Sequence, residues 1–128
     1  MTGRPKILIV EDETSVAMMM VFLLTRAGCD VQSAWNTEKT VQLAETNDFD
    51  LITLDINLPG AGGFEICKRL RQFPHLKYTP VIFVSGCAST NYRQRAFELG
   101  AVDFIEKPFG ASDFVSRVLS LLEETAQA

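Results

Sequence analysis

Residues 51–60, LITLDINLPG, place three apolar residues and a threonine directly before a carboxylate and a turn, and this pattern is the clearest indication of the fold. Similar apolar runs occur at 7–10 and 81–84, and each is too short for a helix and lacks polar–apolar alternation. Such runs are typical of strands buried on both faces of a parallel sheet. Two weaker strands are predicted at 30–35 and 101–106.

Segments with apolar residues spaced by three and four lie between these strands, and this spacing predicts amphipathic helices. Gly28 and Gly100 stand where the first and fourth helices end, a position that favours glycine. Thr14 or Ser15 is predicted to cap the first helix, and Ser112 the fifth. The helices are predicted at residues 14–27, 37–46, 63–72, 90–99 and 112–124.

The alternation of strand and helix, five times over, indicates the fold class. Right-handed crossovers between parallel strands bury their helices on both faces of the sheet. We therefore predict an α/β fold of (βα)5 type, a doubly wound five-stranded parallel sheet with flavodoxin-like strand order. The chain has 128 residues, 47% of them hydrophobic, which is enough for one buried core. One domain is predicted over 1–128, with 122–128 as a possible tail or truncated linker.

Charge and apolar patterning argue against several classes of protein. The net charge is −4 and basic residues are interspersed with acids, so no basic face suits direct nucleic-acid binding. The apolar stretches are too short to span a membrane, and the first six residues contain no signal-peptide core. Cys29, Cys67 and Cys87 are odd in number and far apart, which argues against a disulfide framework and a zinc site. These features predict a cytoplasmic protein.

Polar side chains follow the predicted strands at their carboxyl ends. Glu11 and Asp12 follow the first strand, and Asp55 ends the third. Ser85 follows the fourth strand and Lys107 the fifth. In a flavodoxin-like order the first, third, fourth and fifth strands are neighbours, so we expect these five side chains to share one pocket.

Three carboxylates in one pocket repel one another, and this repulsion raises some of their pKa values unless a cation neutralises them. Oxygen ligands without clustered His or Cys favour Mg²⁺ over zinc. With Mg²⁺ bound, Asp55 would stay ionised and could attack phosphorus. Lys107 and the Ser85 hydroxyl could contact the phosphoryl oxygens, and the backbone carbonyl of Asn57 could complete the metal shell.

Four segments of the chain carry a shared set of motifs: ILIVED at 7–12, LITLDINLPG at 51–60, VSG at 84–86 and GAVDFIEKPF at 100–109. Together they resemble the motifs of receiver domains in two-component response regulators, which are CheY-like proteins. The resemblance covers nearly the whole chain and implies a signalling switch that catalyses its own phosphorylation and dephosphorylation. It implies phosphorylation of Asp55 by a sensor histidine kinase or phosphotransfer protein, with Mg²⁺ held by Glu11 or Asp12 together with Asp55 and the Asn57 carbonyl.

The same resemblance implies that Ser85 and Phe104 form the switch. In the family the hydroxyl moves toward the phosphoryl group and the aromatic ring turns inward behind it. The response would appear on the surface of the fourth helix, fifth strand and fifth helix, which would contact a downstream output protein or domain and could form a homodimer. A cis peptide between Lys107 and Pro108 is also implied.

The chain departs from the family pattern at three places. The loop at 59–63 is rich in glycine where the family has a bulky residue and an Asp, so we expect a more mobile loop. Phe104 lacks the phenol of receivers that carry Tyr there, so switching would rely on ring packing. Asn57 and Cys87 stand at positions that flank the path of the attacking water in the family.

Three other functions compete with this interpretation. A phosphatase or phosphotransferase of the haloacid dehalogenase-like type needs an acid two residues after its aspartyl nucleophile, where this chain has Asn57. A nucleotide or flavin binder would use the glycines after residue 59, but Glu65 replaces the last glycine of that motif and would repel a pyrophosphate. An inert receiver used only for interaction is disfavoured by the intact set of acids, serine and lysine.

Three further features are given no functional role. His75 lies in a proline-flanked loop and is interpreted as a solvated side chain. The run Met18-Met19-Met20 is interpreted as helix packing. Cys87 is interpreted as a small apolar wall near the proposed site.

Overall fold

The structure is a computed structural model that describes residues 3–58, 60–86 and 89–127. In this part of the chain, five parallel strands form one sheet in the order β2-β1-β3-β4-β5. The predicted (βα)5 fold and its flavodoxin-like order are therefore confirmed. The strands are β1 Lys6–Val10, β2 Asp30–Ala34, β3 Leu51–Leu54, β4 Val81–Ser85 and β5 Asp103–Glu106.

Five α-helices connect and follow the strands, and one short 3₁₀ helix at Pro74–Leu76 was not predicted. That turn buries Leu76 in the hydrophobic core. The last helix runs to Gln127 and so includes most of the segment that the sequence suggests as a possible tail. The helices are α1 Thr14–Arg26, α2 Thr37–Thr46, α3 Gly62–Arg71, α4 Thr90–Glu98 and α5 Ala111–Gln127.

The sheet separates two hydrophobic cores. On one face Leu8, Ile52 and Phe83 pack with residues of α2, α3 and α4. On the other face Ile9 and Leu51 pack with residues of α1 and α5. Because consecutive residues of a strand point to opposite faces, a strand covered on both sides needs apolar residues at nearly every position. This requirement explains the uninterrupted apolar runs, and each buried Leu or Ile stabilises the fold by about 1.5–3 kcal/mol.

The predicted helix N-caps are wrong. Glu13 occupies the cap position of α1 and its side chain makes no capping hydrogen bond, so neither Thr14 nor Ser15 caps this helix. Instead, the backbone N–H of Glu13 donates to Oε2 of Glu11 over 3.1 Å. Ser112 also cannot cap α5, because that helix begins one residue earlier at Ala111. A carboxylate from the end of β1 thus takes the place of a local cap.

The predicted ends of α1 and α4 at glycine residues are confirmed. Gly28 has φ of 99° and Gly100 has φ of 89°, a left-handed conformation that L side chains rarely adopt. The N–H of Cys29 donates to the Leu24 carbonyl over 3.0 Å, and the N–H of Gly28 donates to Thr25 over 3.1 Å. This bond pair is a Schellman motif, and it fixes the turn from α1 into β2.

Two minor interpretations need correction. Met20 is buried, but Met18 is 67% exposed and Met19 40% exposed, so only one of the three methionines packs in the core. His75 is exposed but not free, because its Nε2 lies 2.6 Å from the Ala44 carbonyl and links the 3₁₀ helix to α2. Among the described residues, no helix is both long enough and apolar enough to cross a membrane.

Candidate functional site

The carboxyl ends of three strands bring Glu11, Asp55 and Lys107 together. Parallel pairing aligns Val10 with Leu54, so the residues that follow them leave the sheet side by side. Nζ of Lys107 lies 2.7 Å from Oε1 of Glu11 and 3.1 Å from Oδ2 of Asp55. All three side chains are largely buried. The structure therefore brings together three of the five side chains that the sequence predicts to share a pocket.

Backbone hydrogen bonds hold Asp55 and Lys107 in place. The N–H of Asp55 donates to the Val10 carbonyl over 3.1 Å, and the N–H of Lys107 donates to the Ser85 carbonyl over 2.9 Å. The N–H of Asn57 donates to Oδ1 of Asp55 over 3.2 Å, which orients the carboxylate. The peptide between Lys107 and Pro108 is cis, as expected from the resemblance.

The site also fits a metal ion. One oxygen from each of Glu11, Asp12 and Asp55 lies within 4.8 Å of the others. Oε1 of Glu11 is buried beside the Lys107 ammonium, 2.7 Å away, and has no further polar partner among the described residues. One ammonium does not neutralise three acids, and an all-oxygen set of this size suits a hard divalent cation. The three acids could therefore hold such a cation.

The electrostatics of the pocket follow from burial and crowding. Burial raises the pKa of Glu11, and the hydrogen bonds from Lys107 and Glu13 offset this only in part. Burial alone would lower the pKa of Lys107, but the Glu11 and Asp55 carboxylates outweigh it and the net pKa is raised. Lys107 therefore stays charged. With Asp12 at the rim, three carboxylates face one ammonium, and the excess negative charge favours a further cation.

The remaining predicted site residues lie on neighbouring strands. Ser85 is fully buried at the end of β4, where it pairs in register with Glu106. Phe104 is only 3% exposed and pairs with Phe83. Cys87 lies outside the described residues.

Gly63 is a site residue that the sequence reasoning missed. A Cβ atom at this position would lie 2.2 Å from the Asp55 carbonyl oxygen and 2.8 Å from Cα of Ile56. The N–H of Gly63 also donates to the Ile56 carbonyl over 2.8 Å. The start of α3 therefore packs directly on the backbone that carries Asp55. The glycine-rich loop was the available signal, although glycine content alone does not reveal which residue makes the close approach.

An open groove of about 670 Å³ adjoins the carboxylates. Glu11 and Asp12 line it together with α1 and the end of β2. Met18, Phe22 and Trp35 are exposed along it, so its surface is mostly apolar. Sequence patterning did not reveal this groove, because its residues come from segments that only the fold brings together.

Comparison with known proteins agrees with this geometry. The chain is 32% identical over 126 residues to the transcriptional regulatory protein ResD of Bacillus subtilis, covering 98% of this chain and 51% of that protein. It is 38% identical over 121 residues to the transcriptional regulatory protein CusR of Escherichia coli strain K12, covering 94% of this chain and 52% of that protein. The chain thus spans about half the length of the curated relatives that it matches.

Solved structures show the same fold. The CheY-like receiver domain protein from Methanospirillum hungatei superposes with a TM-score of 0.91 at 26% identity, covering 98% of each chain. The non-phosphorylated HemR receiver domain from Leptospira biflexa gives a TM-score of 0.86 at 32% identity, covering 93% of this chain and 94% of that one. The sequence-family model described as the response regulator receiver domain matches residues 7–119 of the chain. The chain belongs to the receiver domain family of two-component response regulators.

Proposed function

We propose that Asp55 accepts a phosphoryl group from a phosphohistidine of a sensor kinase or phosphotransfer protein, in a Mg²⁺-dependent reaction. The observation that carries this proposal is the setting of Asp55. Asp55 is only 6% exposed, yet its carboxylate lies 3.1 Å from the Lys107 ammonium and within 4.8 Å of oxygens from Glu11 and Asp12. Burying an ionised carboxylate in such a pocket costs free energy, and such groups cluster at functional sites.

The transfer is an in-line displacement at phosphorus. A carboxylate oxygen of Asp55 forms the new O–P bond while the P–N bond of phosphohistidine breaks, and the imidazole leaves with that electron pair. Mg²⁺, held by Glu11, Asp12, Asp55 and the Asn57 carbonyl, would supply positive charge to the phosphoryl oxygens. The Lys107 ammonium and the Ser85 hydroxyl would contact the oxygens that remain. The same groups would support hydrolysis of the acyl phosphate, so the chain would catalyse both its own phosphorylation and its dephosphorylation.

The proposal is tested by incubating the chain with acetyl phosphate and Mg²⁺ and measuring its intact mass. We expect one phosphoryl group per chain, located at Asp55 by peptide mapping, and no uptake when a chelator removes Mg²⁺. An unlabelled chain, or a label on another residue, would overturn the proposal.

The face formed by α4, β5 and α5 is proposed to transmit the response to phosphorylation to another protein or domain. Ser85 and Phe104 lie on β4 and β5, beside α4, so a change at Asp55 has a short path to this face. The face would contact a downstream output protein or domain, or a second copy of the chain. Light scattering before and after phosphorylation checks the second case, since a homodimer doubles the mass and an unchanged mass contradicts it.

The donor protein is proposed to lie in the groove beside α1. The groove is continuous with Glu11 and Asp12, and Phe22 and Trp35 supply the large aromatic surfaces that commonly anchor protein interfaces. A protein that delivers a phosphoryl group to Asp55 must cover this edge of the sheet. The groove would therefore be buried in the encounter complex.

Replacing Phe22 with alanine is expected to slow phosphotransfer from a phosphorylated kinase or phosphotransfer protein roughly tenfold, because loss of an interface anchor costs about 1–2 kcal/mol. Labelling by acetyl phosphate should not change, since so small a donor does not need the groove. The matched control is Phe97→Ala, which removes an exposed phenylalanine on α4. Equal transfer rates for the wild type and Phe22→Ala would contradict this placement of the donor.

A further inference from the structure

The ring of Phe104 is covered by an arginine from α4. The guanidinium carbon of Arg93 lies 4.8 Å from the centre of the ring, within the range of a cation–π interaction. Nη2 of the same guanidinium lies 3.3 Å from Oε1 of Glu106. The Arg93 side chain is 42% exposed, whereas Phe104 is almost fully buried. Arg93 therefore closes the solvent side of a buried ring.

The position of this contact follows from the strand. Phe104 and Glu106 are two residues apart on β5, so their side chains point to the same face of the sheet. That face packs against α4, and Arg93 can reach both residues at once. Glu106 directly precedes Lys107, whose ammonium contacts Asp55. One guanidinium on α4 thus contacts both the switch ring and the residue next to the site lysine.

The chemistry of Phe104 makes this contact important. A phenylalanine ring has no hydroxyl with which to fix its position, so only packing and the quadrupole of its face can hold it. The backbone of the residue is held separately, since its N–H donates to Asp103 over 2.8 Å and its carbonyl accepts from Arg117 over 3.2 Å. Neither bond restrains the ring. The Arg93 guanidinium supplies a directional contact to the ring face.

We propose that Arg93 is a positioning residue that holds Phe104 in its buried orientation and so raises the reactivity of Asp55. The proposal rests on the proposed function. The ring would exchange between the buried orientation and one turned toward solvent, and the chain would accept a phosphoryl group only when the ring is buried. Removing the guanidinium shifts this equilibrium by about two- to fivefold, the range expected for one partly exposed cation–π contact. The observed reactivity scales with the competent fraction.

Helix α4 supplies a matched control. Arg95 makes an equivalent contact with another ring, with its guanidinium carbon 5.0 Å from the centre of Phe64. Replacing Arg95 with alanine removes the same kind of side chain from the same helix but leaves Phe104 covered. Effects of charge and of helix propensity are therefore shared by Arg93→Ala and Arg95→Ala, whereas loss of the Phe104 contact is specific to the first.

The experiment compares Arg93→Ala, Arg93→Lys, Glu106→Gln and Arg95→Ala with the wild type. Two quantities are measured: the ring signals of ¹³C-labelled phenylalanine, with Phe104 assigned through Phe104→Leu, and the rate of labelling by acetyl phosphate and Mg²⁺. Circular dichroism verifies that each variant is folded. In Arg93→Ala we expect the Phe104 signals to move toward solvent-exposed values and the labelling rate to fall in proportion to the buried fraction that these signals report, by less than about fivefold because the wild-type ring is mostly buried.

The other variants separate the two contacts of the guanidinium. Arg93→Lys should partly restore the signals and the rate, because an ammonium keeps the charge over the ring but not the planar stacking. Glu106→Gln should move the signals in the same direction as Arg93→Ala but by less, since the guanidinium loses its anchor and keeps its position near the ring. Arg95→Ala should leave both the Phe104 signals and the rate unchanged.

Every outcome decides the question. If the wild type is labelled but Arg93→Ala keeps either the wild-type ring signals or the wild-type rate, the role of Arg93 is overturned while the proposed function stands. Equal effects of Arg93→Ala and Arg95→Ala would also overturn it, since a general effect of charge would then suffice. If the wild type itself takes up no phosphoryl group, the proposed function fails, and the coupling of Arg93 to Asp55 fails with it.

Discussion

Replacing Asp55 with asparagine is expected to abolish uptake of the phosphoryl group from acetyl phosphate, as measured by intact mass. The amide has nearly the same shape as the carboxylate, and its oxygen can still accept the Asn57 N–H, which lies 3.2 Å from Oδ1 in the wild type. It has no anionic oxygen to attack phosphorus, however, so the reaction loses its nucleophile and not its binding site. We therefore expect labelling below detection, not a reduced rate.

The matched control for this substitution is Asp30→Asn. Asp30 is exposed and begins β2. It therefore lies at the amino ends of the parallel strands, whereas the site lies at their carboxyl ends. Both variants lose one negative charge, but only Asp55→Asn should lose labelling. A circular dichroism spectrum like that of the wild type excludes misfolding as the cause. Labelling of Asp55→Asn to the wild-type level would show that another residue accepts the phosphoryl group.

Replacing Gly63 with alanine is expected to damage both stability and reactivity. The new methyl group would lie 2.2 Å from the Asp55 carbonyl oxygen, a backbone atom that cannot move away as a flexible side chain could. Relief requires a shift of α3 or of the Asp55 backbone, and such overpacking costs about 1–3 kcal/mol. A displacement of about 1 Å at a reacting group can slow a reaction by roughly a hundredfold. Urea unfolding measures the first effect and acetyl phosphate labelling the second.

Gly110→Ala is the control for Gly63→Ala. A Cβ atom at Gly110 would meet no atom within 4 Å, and this glycine does not have positive φ. Alanine there should lower the free energy of unfolding by about 1 kcal/mol at most, because Gly110 precedes α5 as its N-cap, where glycine is favoured over alanine, while alanine also restricts the unfolded chain. If Gly63→Ala were as stable and as reactive as Gly110→Ala, the close approach between α3 and Asp55 would be refuted.

Much of the fold could be predicted because each strand carries its own signal. Three of the four residues of β3 are apolar because the sheet is covered on both faces, and this local pattern is visible without knowledge of their partners. The glycine after α1 was predictable for a similar reason, since a left-handed residue is a local requirement. Helix starts were less predictable. At the start of α1, the N–H of Glu13 donates to the side chain of Glu11. Glu11 follows β1 and also belongs to the candidate site.

The position of the site's acids and lysine at one end of the sheet could be predicted, but Gly63 and the distances between the side chains could not. Parallel strands end at one edge, so the residues that follow β1, β3 and β5 must lie near one another. The strand pattern cannot reveal that Lys107 contacts Glu11 more closely than Asp55, at 2.7 Å against 3.1 Å. It also cannot reveal that Oε1 of Glu11 is buried beside this ammonium. These details depend on side-chain directions that only packing decides.

The alternation of strand and helix could be predicted from local sequence, as could the acids, serine and lysine that end the strands, including Asp55. These features are local, because hydrophobic period and residue type act within a few positions of the chain. Three other features arise only when the chain is folded: the close approach of Gly63 to the Asp55 backbone, the cover of Phe104 by Arg93, and the groove beside α1. Each of these features joins residues that are distant in sequence. Whether such residues contact one another depends on how the helices pack on the sheet, because the side chains between them fill space without voids.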